Sequence, residues 1–197
     1  LGDPILQPGT YDGGGPEDQI AILSDFVSIN FGSGDANSGL AEILATIGNG
    51  ILTLLGSDCR LKTDCPSAPA ANVVDAAVAM PINDADVLDS ILDIGEINEV
   101  LPAFLGQGVR KSGRTTSLTT GTVMVIDAVV NVSYGAGKQA RFERQIVTSP
   151  MSEGGDSGSL LVDGSSPAAV GLLFAGSDQV TIHNPIDEVL RLLEVTI

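Results

Sequence analysis

The chain has 197 residues and a mass of 20.1 kDa, enough for one compact domain or two small lobes sharing a cleft. Lys and Arg number 9 against 25 Asp and Glu, a formal charge of -16 that repels nucleic acid phosphates and anionic lipid heads and so excludes a general nucleic-acid binder. With 43% apolar residues and a mean hydropathy of +0.28 the composition is that of a folded protein, and 24 Gly with no Trp point to tight turns between strands packed with Val, Ile and Leu.

The opening Leu1 to Leu6 has neither an initiator Met nor the basic and apolar regions of a signal peptide, which leads us to expect that an upstream segment has been removed. After the Gly13-Gly14-Gly15-Pro16 turn, Ile20 to Phe31 alternates as a strand does. The period then changes: Leu40, Ile43, Leu44, Ile47, Ile51 and Leu54 recur every three or four residues behind an Asn37 or Ser38 cap, predicting an amphipathic helix over Gly39 to Leu55. Cys59 and Cys65 follow in a polar loop. They are either a disulfide, closing a short ring and adding roughly 2 kcal/mol, or two idle thiols. Val73 to Met80 reads as a short strand, and Asn83 to Glu99 as an acidic, irregular stretch. Beyond Pro102, strands are expected at Gly108 to Arg110, Thr119 to Tyr134, Gln139 to Val147, Ser159 to Val162 and Ala168 to Phe174. Gly135-Ala136-Gly137-Lys138 joins two of these as a hairpin, and Asn184-Pro185 opens a final helix with Ile186, Val189, Leu190 and Leu193 on one face. No apolar run approaches the ~18 residues of a membrane helix.

Several motifs fail. A phosphate loop around Gly137-Lys138 would need Gly at Val132 and a hydroxyl at Gln139. An EF-hand loop from Asp35 lacks its ligands at Gly39 and Thr46, and one His with two Cys sets up no zinc site. The sequon at Asn131-Val132-Ser133 falls inside a predicted strand.

One stretch carries chemistry. Glu153-Gly154-Gly155-Asp156-Ser157-Gly158 puts a Ser in a Gly-flanked turn leading into the apolar Leu160-Leu161-Val162. An acyl-transfer Ser needs backbone N–H groups aimed at the developing oxyanion, and Gly allows the unusual angles that turn successive N–H groups to one side. The N–H groups of Gly155 and Ser157 would form that hole. Upstream, Asp75 is a single carboxylate among Val73, Val74, Ala76, Ala77 and Val78; buried without a partner it would cost several kcal/mol, so it needs a donor. Two readings fit: a triad acid bonded to an imidazole N–H, or an Asp paired with local backbone N–H groups.

Val109-Arg110-Lys111-Ser112-Gly113-Arg114-Thr115-Thr116, Gly121-Thr122-Val123, Gly155-Asp156-Ser157-Gly158-Ser159 and Val170 to Gly176 together resemble the second barrel of chymotrypsin-like (trypsin-like) serine peptidases of the bacterial streptogrisin and α-lytic type. The resemblance covers roughly Asn72 to Val195 and is weaker before it. It implies a mainly all-β fold: a double β-barrel, with residues 1–105 as a first lobe holding the helical insertion and 106–197 as a second lobe ending in a helix. It further implies Asp75 as the triad acid, Ser157 as the nucleophile, Gly155 and Ser157 as the oxyanion hole, Met151 at the base of the substrate pocket, and Phe174, Ala175 and Gly176 as the edge that pairs with substrate backbone. Met151 offers no counter-charge for Lys or Arg, so cleavage after apolar or small residues is expected. Ser117 stands where relatives commonly have Gly.

The departure is the histidine. The family's order is His, Asp, Ser, yet no His precedes Asp75, and the sole one, His183, lies 26 residues after Ser157 and reads as a bystander. The expectation is a serine endopeptidase whose imidazole lies on an N-terminal fragment of the same precursor, this chain alone being inactive. The alternative is a non-catalytic protease-fold module used for binding or assembly. The partners expected are a peptide or protein substrate, that N-terminal fragment and a second copy through barrel edges, with no nucleic acid, membrane, metal or cofactor. An extracytoplasmic or secreted, soluble setting follows from the family.

Overall fold

A computed structural model of the chain describes residues 1–31 and 71–197. The helix expected over Gly39 to Leu55 and the Cys59 and Cys65 pair lie outside the described residues. The chain divides into two compact units, one of Leu1–Ile29, Asn72–Val130 and Phe142–Ile197, the other of Asn30–Ala71 and Asn131–Arg141.

In the first unit, β1 (Pro4–Leu6), β2 (Gln19–Phe26) and β3 (Ala77–Pro81) form an antiparallel sheet in that order, with Ile22 opposite both Pro4 and Met80. Both longer strands are shorter than their apolar patterns suggested. β2 stops at Phe26, and β3 starts at Ala77 because the segment before it bonds elsewhere: the backbone of Asp75 is held by the Asn184 side chain and not by a neighbouring strand.

The rest of this unit is a closed barrel. Short β4 (Glu99–Val100) precedes six strands: β5 (Gly108–Gly113), β6 (Ser117–Ser133), β7 (Gln139–Thr148), β8 (Leu160–Asp163), β9 (Ala168–Gly176) and β10 (Thr181–Pro185). Their order is β10-β7-β6-β5-β8-β9, and β10 pairs with β9 as well, so the ring closes and each of its strands has two neighbours in it. β4 adds to β9 in parallel. Inward side chains at alternate positions, Val109, Val123, Ile146, Leu161 and Val170 with Met151, make the barrel core. Helix α1 (Ile186–Leu193) lays Ile186, Val189 and Leu193 against Val74 and Ala169.

β10 and β4 were not foreseen. In β10, Thr181, His183 and Asn184 are all buried although polar, so the strand shows no alternation of apolar and polar residues to read. β4 is a two-residue edge in an acidic stretch. In the second unit, Lys138 N–H donates to Gly135 O and Tyr134 N–H to Lys138 O, closing the expected hairpin turn, and the Phe31 and Tyr134 rings meet edge to face at 5.3 Å. The fold is mainly β with a C-terminal helix, as the sequence implied.

Candidate active site

The turn after Met151 is built around one carboxylate. Asp156 is fully buried and accepts five hydrogen bonds: Oδ1 from the N–H groups of Thr115 (2.8 Å) and Thr116 (3.2 Å), Oδ2 from Glu153 N–H (3.0 Å), Thr116 Oγ1 (2.7 Å) and Lys111 Nζ (3.0 Å). Lys111 is equally buried, so this is an ion pair sealed from water. Burial alone would raise the Asp156 pKa; the bonds from Thr116, Glu153, Lys111 and Thr115 outweigh it and hold the carboxyl well below the usual range. Two buried charges repay their desolvation only when the remaining lone pairs are also satisfied, and here they are.

With Asp156 fixed, its neighbours have few choices. Gly155 (φ +99°) and Gly158 (φ +87°) both occupy the left-handed region, reversing the chain on either side of Ser157. Gly158 N–H donates to Leu173 O (2.8 Å) and Leu173 N–H to Ser159 O (3.0 Å), clasping the turn to β9. Ser157 is left exposed, and the N–H groups of Gly155 and Ser157 donate to no acceptor among the described residues.

Ser157 lines a cleft of about 590 Å³ together with Thr116, Pro150 to Gly154, Leu173 and the stretch from Ala175 to Asp178. Of the residues named from sequence, Ser157, Met151, Ala175 and Gly176 therefore share one cavity. Met151 contributes little side chain to it: the residue is 5% exposed and belongs to the barrel core. Gly121 makes that possible, since a Cβ there would come within 2.8 Å of the Met151 sulfur. Behind the lining, buried Thr181 holds two of its residues: Thr181 Oγ1 accepts from Met151 N–H (3.1 Å) and bonds Ser152 Oγ (2.9 Å). The charged lining residues are both acidic, Glu153 and Asp178, each exposed. Ala175 and Gly176 pair with β10 on one side and have no strand on the other among the described residues. Phe174 lies apart from the cleft lining, its ring tilted on Phe142 at 4.9 Å.

Asp75 lies outside the cleft lining, half-buried in the segment before β3. Its N–H donates to Asn184 Oδ1 (3.0 Å) and its carbonyl accepts from Asn184 Nδ2 (3.1 Å), which also reaches Leu172 O at 3.5 Å. Leu172 adjoins Leu173, a β9 residue whose backbone bonds Gly158 and Ser159. His183 is fully buried, its Nε2 3.1 Å from Thr148 Oγ1 and its Nδ1 without a partner among the described residues. Burial, then the charge of Lys111, bring its pKa down to about 3, so the imidazole is neutral. Ser117, at φ +53°, occupies a conformation that favours Gly.

Lys111 appeared in the sequence only as part of a motif. The signal was present: Val109 and Lys111 share a strand face two residues apart, and an inward Lys demands a carboxylate. Ser152 in the cleft lining and Thr181 behind it carried no such mark.

No protein-family model matches the chain. Over 107 residues it is 35% identical to glutamyl endopeptidase 2 of Streptomyces griseus, a match covering 52% of this chain and 53% of that protein. Streptogrisin-A of the same organism is 36% identical over 100 residues, 48% of this chain and 32% of that protein. Among solved structures, Nocardiopsis protease (NAPase) aligns with a TM-score of 0.51 at 22% identity, covering 62% of this chain and 66% of that one. The chain is thus similar over about half its length to the two Streptomyces peptidases and has the chymotrypsin-like fold. It spans about half the length of glutamyl endopeptidase 2 and a third of streptogrisin-A.

Proposed function

We propose that this chain is the Asp- and Ser-bearing part of a serine endopeptidase, with residues 1–105 contributing to a first lobe and 106–197 forming the second. The observation that carries the reading is Ser157 itself: exposed, held between two left-handed glycines beside unbonded N–H groups, at a cleft. Ser157 Oγ attacks the scissile carbonyl, an imidazole takes its proton and returns it to the leaving amine, and water then releases the acyl group. Gly155 and Ser157 N–H groups stabilise the oxyanion, Asp75 orients the imidazole, and the free edge at Ala175 and Gly176 pairs with the substrate backbone.

The imidazole comes from polypeptide beyond this sequence. His183 is the chain's one histidine, and it is sealed in the barrel against Thr148. An N-terminal piece of the same precursor is the natural source, and the setting is extracytoplasmic. Among the described residues no helix is long and apolar enough to cross a membrane. The cleft takes apolar or small side chains; Glu153 and Asp178 disfavour acidic ones, in contrast to the relative named a glutamyl endopeptidase.

The test is to express the gene with its upstream coding sequence, alongside Ser157→Ala, and to assay a peptide library. Ser157-dependent hydrolysis is expected, with this chain alone inert. Activity that survives Ser157→Ala, or none in any form, would replace the reading by a non-catalytic binding module.

A further inference from the structure

The Gly154–Gly155 peptide is gripped from behind. Thr115 Oγ1 donates to Gly154 O at 2.8 Å. In a trans peptide the C=O and N–H point in opposite directions, so a hydroxyl that fixes the Gly154 carbonyl on one side turns the Gly155 N–H to the other. Two consecutive glycines would otherwise let this plane rotate with little steric resistance. The Thr115 hydroxyl is itself held, accepting from Arg114 Nη1 at 3.2 Å while it donates to Gly154. Arg114 in turn pairs through Nη2 with Asp12, in the loop between β1 and β2, and its guanidinium lies 5.9 Å from the centre of the Tyr11 ring. The approach is close: a Cβ on Gly155 would meet Thr115 Oγ1 at 2.5 Å and Arg114 Nη1 at 3.2 Å. The Thr115 N–H also bonds Asp156, so one residue anchors the turn at two points.

We infer that Asp12, Arg114 and Thr115 form a positioning relay that sets the orientation of the Gly154–Gly155 peptide and so couples the oxyanion donor to the loop after β1. The relay rests on the peptidase reading above. None of its members touches substrate; each acts through the next, ending at the Gly155 N–H. Its effect therefore falls on the transition state, where the oxyanion develops, and spares substrate binding.

The experiment uses the peptidase expressed with its upstream sequence, comparing Thr115→Val, Thr115→Ser and Asp12→Asn with the unmodified protein and Ser157→Ala. Thr115→Val keeps the shape and removes the donor; it is expected to lower kcat about 10- to 100-fold with KM nearly unchanged, and to weaken a peptide boronate in parallel while sparing a product peptide. Thr115→Ser restores most of the rate. Asp12→Asn, at the exposed end of the relay, lowers kcat several-fold without shifting the melting temperature, and this variant carries the test if Thr115→Val fails to fold. Ser157-dependent hydrolysis that keeps its kcat in Thr115→Val, or in Asp12→Asn where Thr115→Val does not fold, overturns the relay alone, as does a Thr115→Val loss that Ser does not rescue. Hydrolysis that survives Ser157→Ala overturns the peptidase reading and the relay with it.

Discussion

The barrel of β5 to β10 and the sheet of β1 to β3 treat their edges in opposite ways. In the barrel, β10 bonds to both β7 and β9, and every strand of the ring has two neighbours. In the sheet, β1 and β3 have one neighbour each among the described residues, and Ile22, Phe26, Met80 and, just past β3, Ile82 stand 41% to 64% exposed. A ring satisfies its own backbone groups and encloses its own core; a three-stranded sheet with apolar side chains in water does neither. The two candidate catalytic side chains divide along this line. Ser157 sits on the closed scaffold, its turn fixed by a buried ion pair, whereas Asp75 precedes β3 of the open sheet and is tied back to the barrel through Asn184.

The sharpest way to test the self-sufficiency of the barrel is to cut its buried pair. Lys111→Met strands the Asp156 carboxylate without its cation and should cost about 3–5 kcal/mol in urea unfolding, whereas adding Asp156→Asn should recover part of that loss. A loss below 1 kcal/mol would mean that the turn holds without the pair.

Acid probes the same scaffold. His183 is neutral in the folded chain with a pKa near 3, against about 6.5 when unfolded. Because the unfolded state binds the proton first, stability is full above pH 6.5 and falls by up to about 1.4 kcal/mol per pH unit as the pH drops toward 3. The Asp156 carboxyl, depressed by its partners, adds a further loss below about pH 4. Thermal melts of the native chain and His183→Phe should therefore diverge between pH 4 and 6 and agree near pH 8; parallel curves would remove the histidine from the account.

Hydrogen exchange addresses the comparison directly. Amides of β7 and β9 are expected to open only with global unfolding, those of β1 and β3 at lower free energy. Equal protection would show that the sheet is as self-contained as the barrel. The smallest effect concerns the cleft. In the full peptidase, Glu153→Gln with Asp178→Asn should raise kcat/KM for substrates cleaved after Glu by about two- to five-fold and leave apolar substrates unaltered, since both carboxylates are exposed and screened. An equal change on both substrate classes would exclude a charge effect.

The sequence by itself determined most of the barrel and the position of its Ser. Alternation along Thr119 to Tyr134 and Gln139 to Val147 follows from a sheet with one face inside, and the glycines around Asp156 follow from a turn that needs positive φ. Only the tertiary structure decided what the buried polar groups do. Thr181, His183 and Asn184 show no strand alternation, and their places are set by partners on β7, β9 and the Asp75 segment. Met151, read as the pocket base, lines the cleft and also packs in the barrel core, where Gly121 leaves space for its sulfur. Lys111 meets Asp156 from 45 positions away, and Asp12 meets Arg114 from 102. Local patterns encode which face a residue presents, but the partner that makes burial of a charge tolerable is chosen by chain closure over long separations, and no local spacing records it.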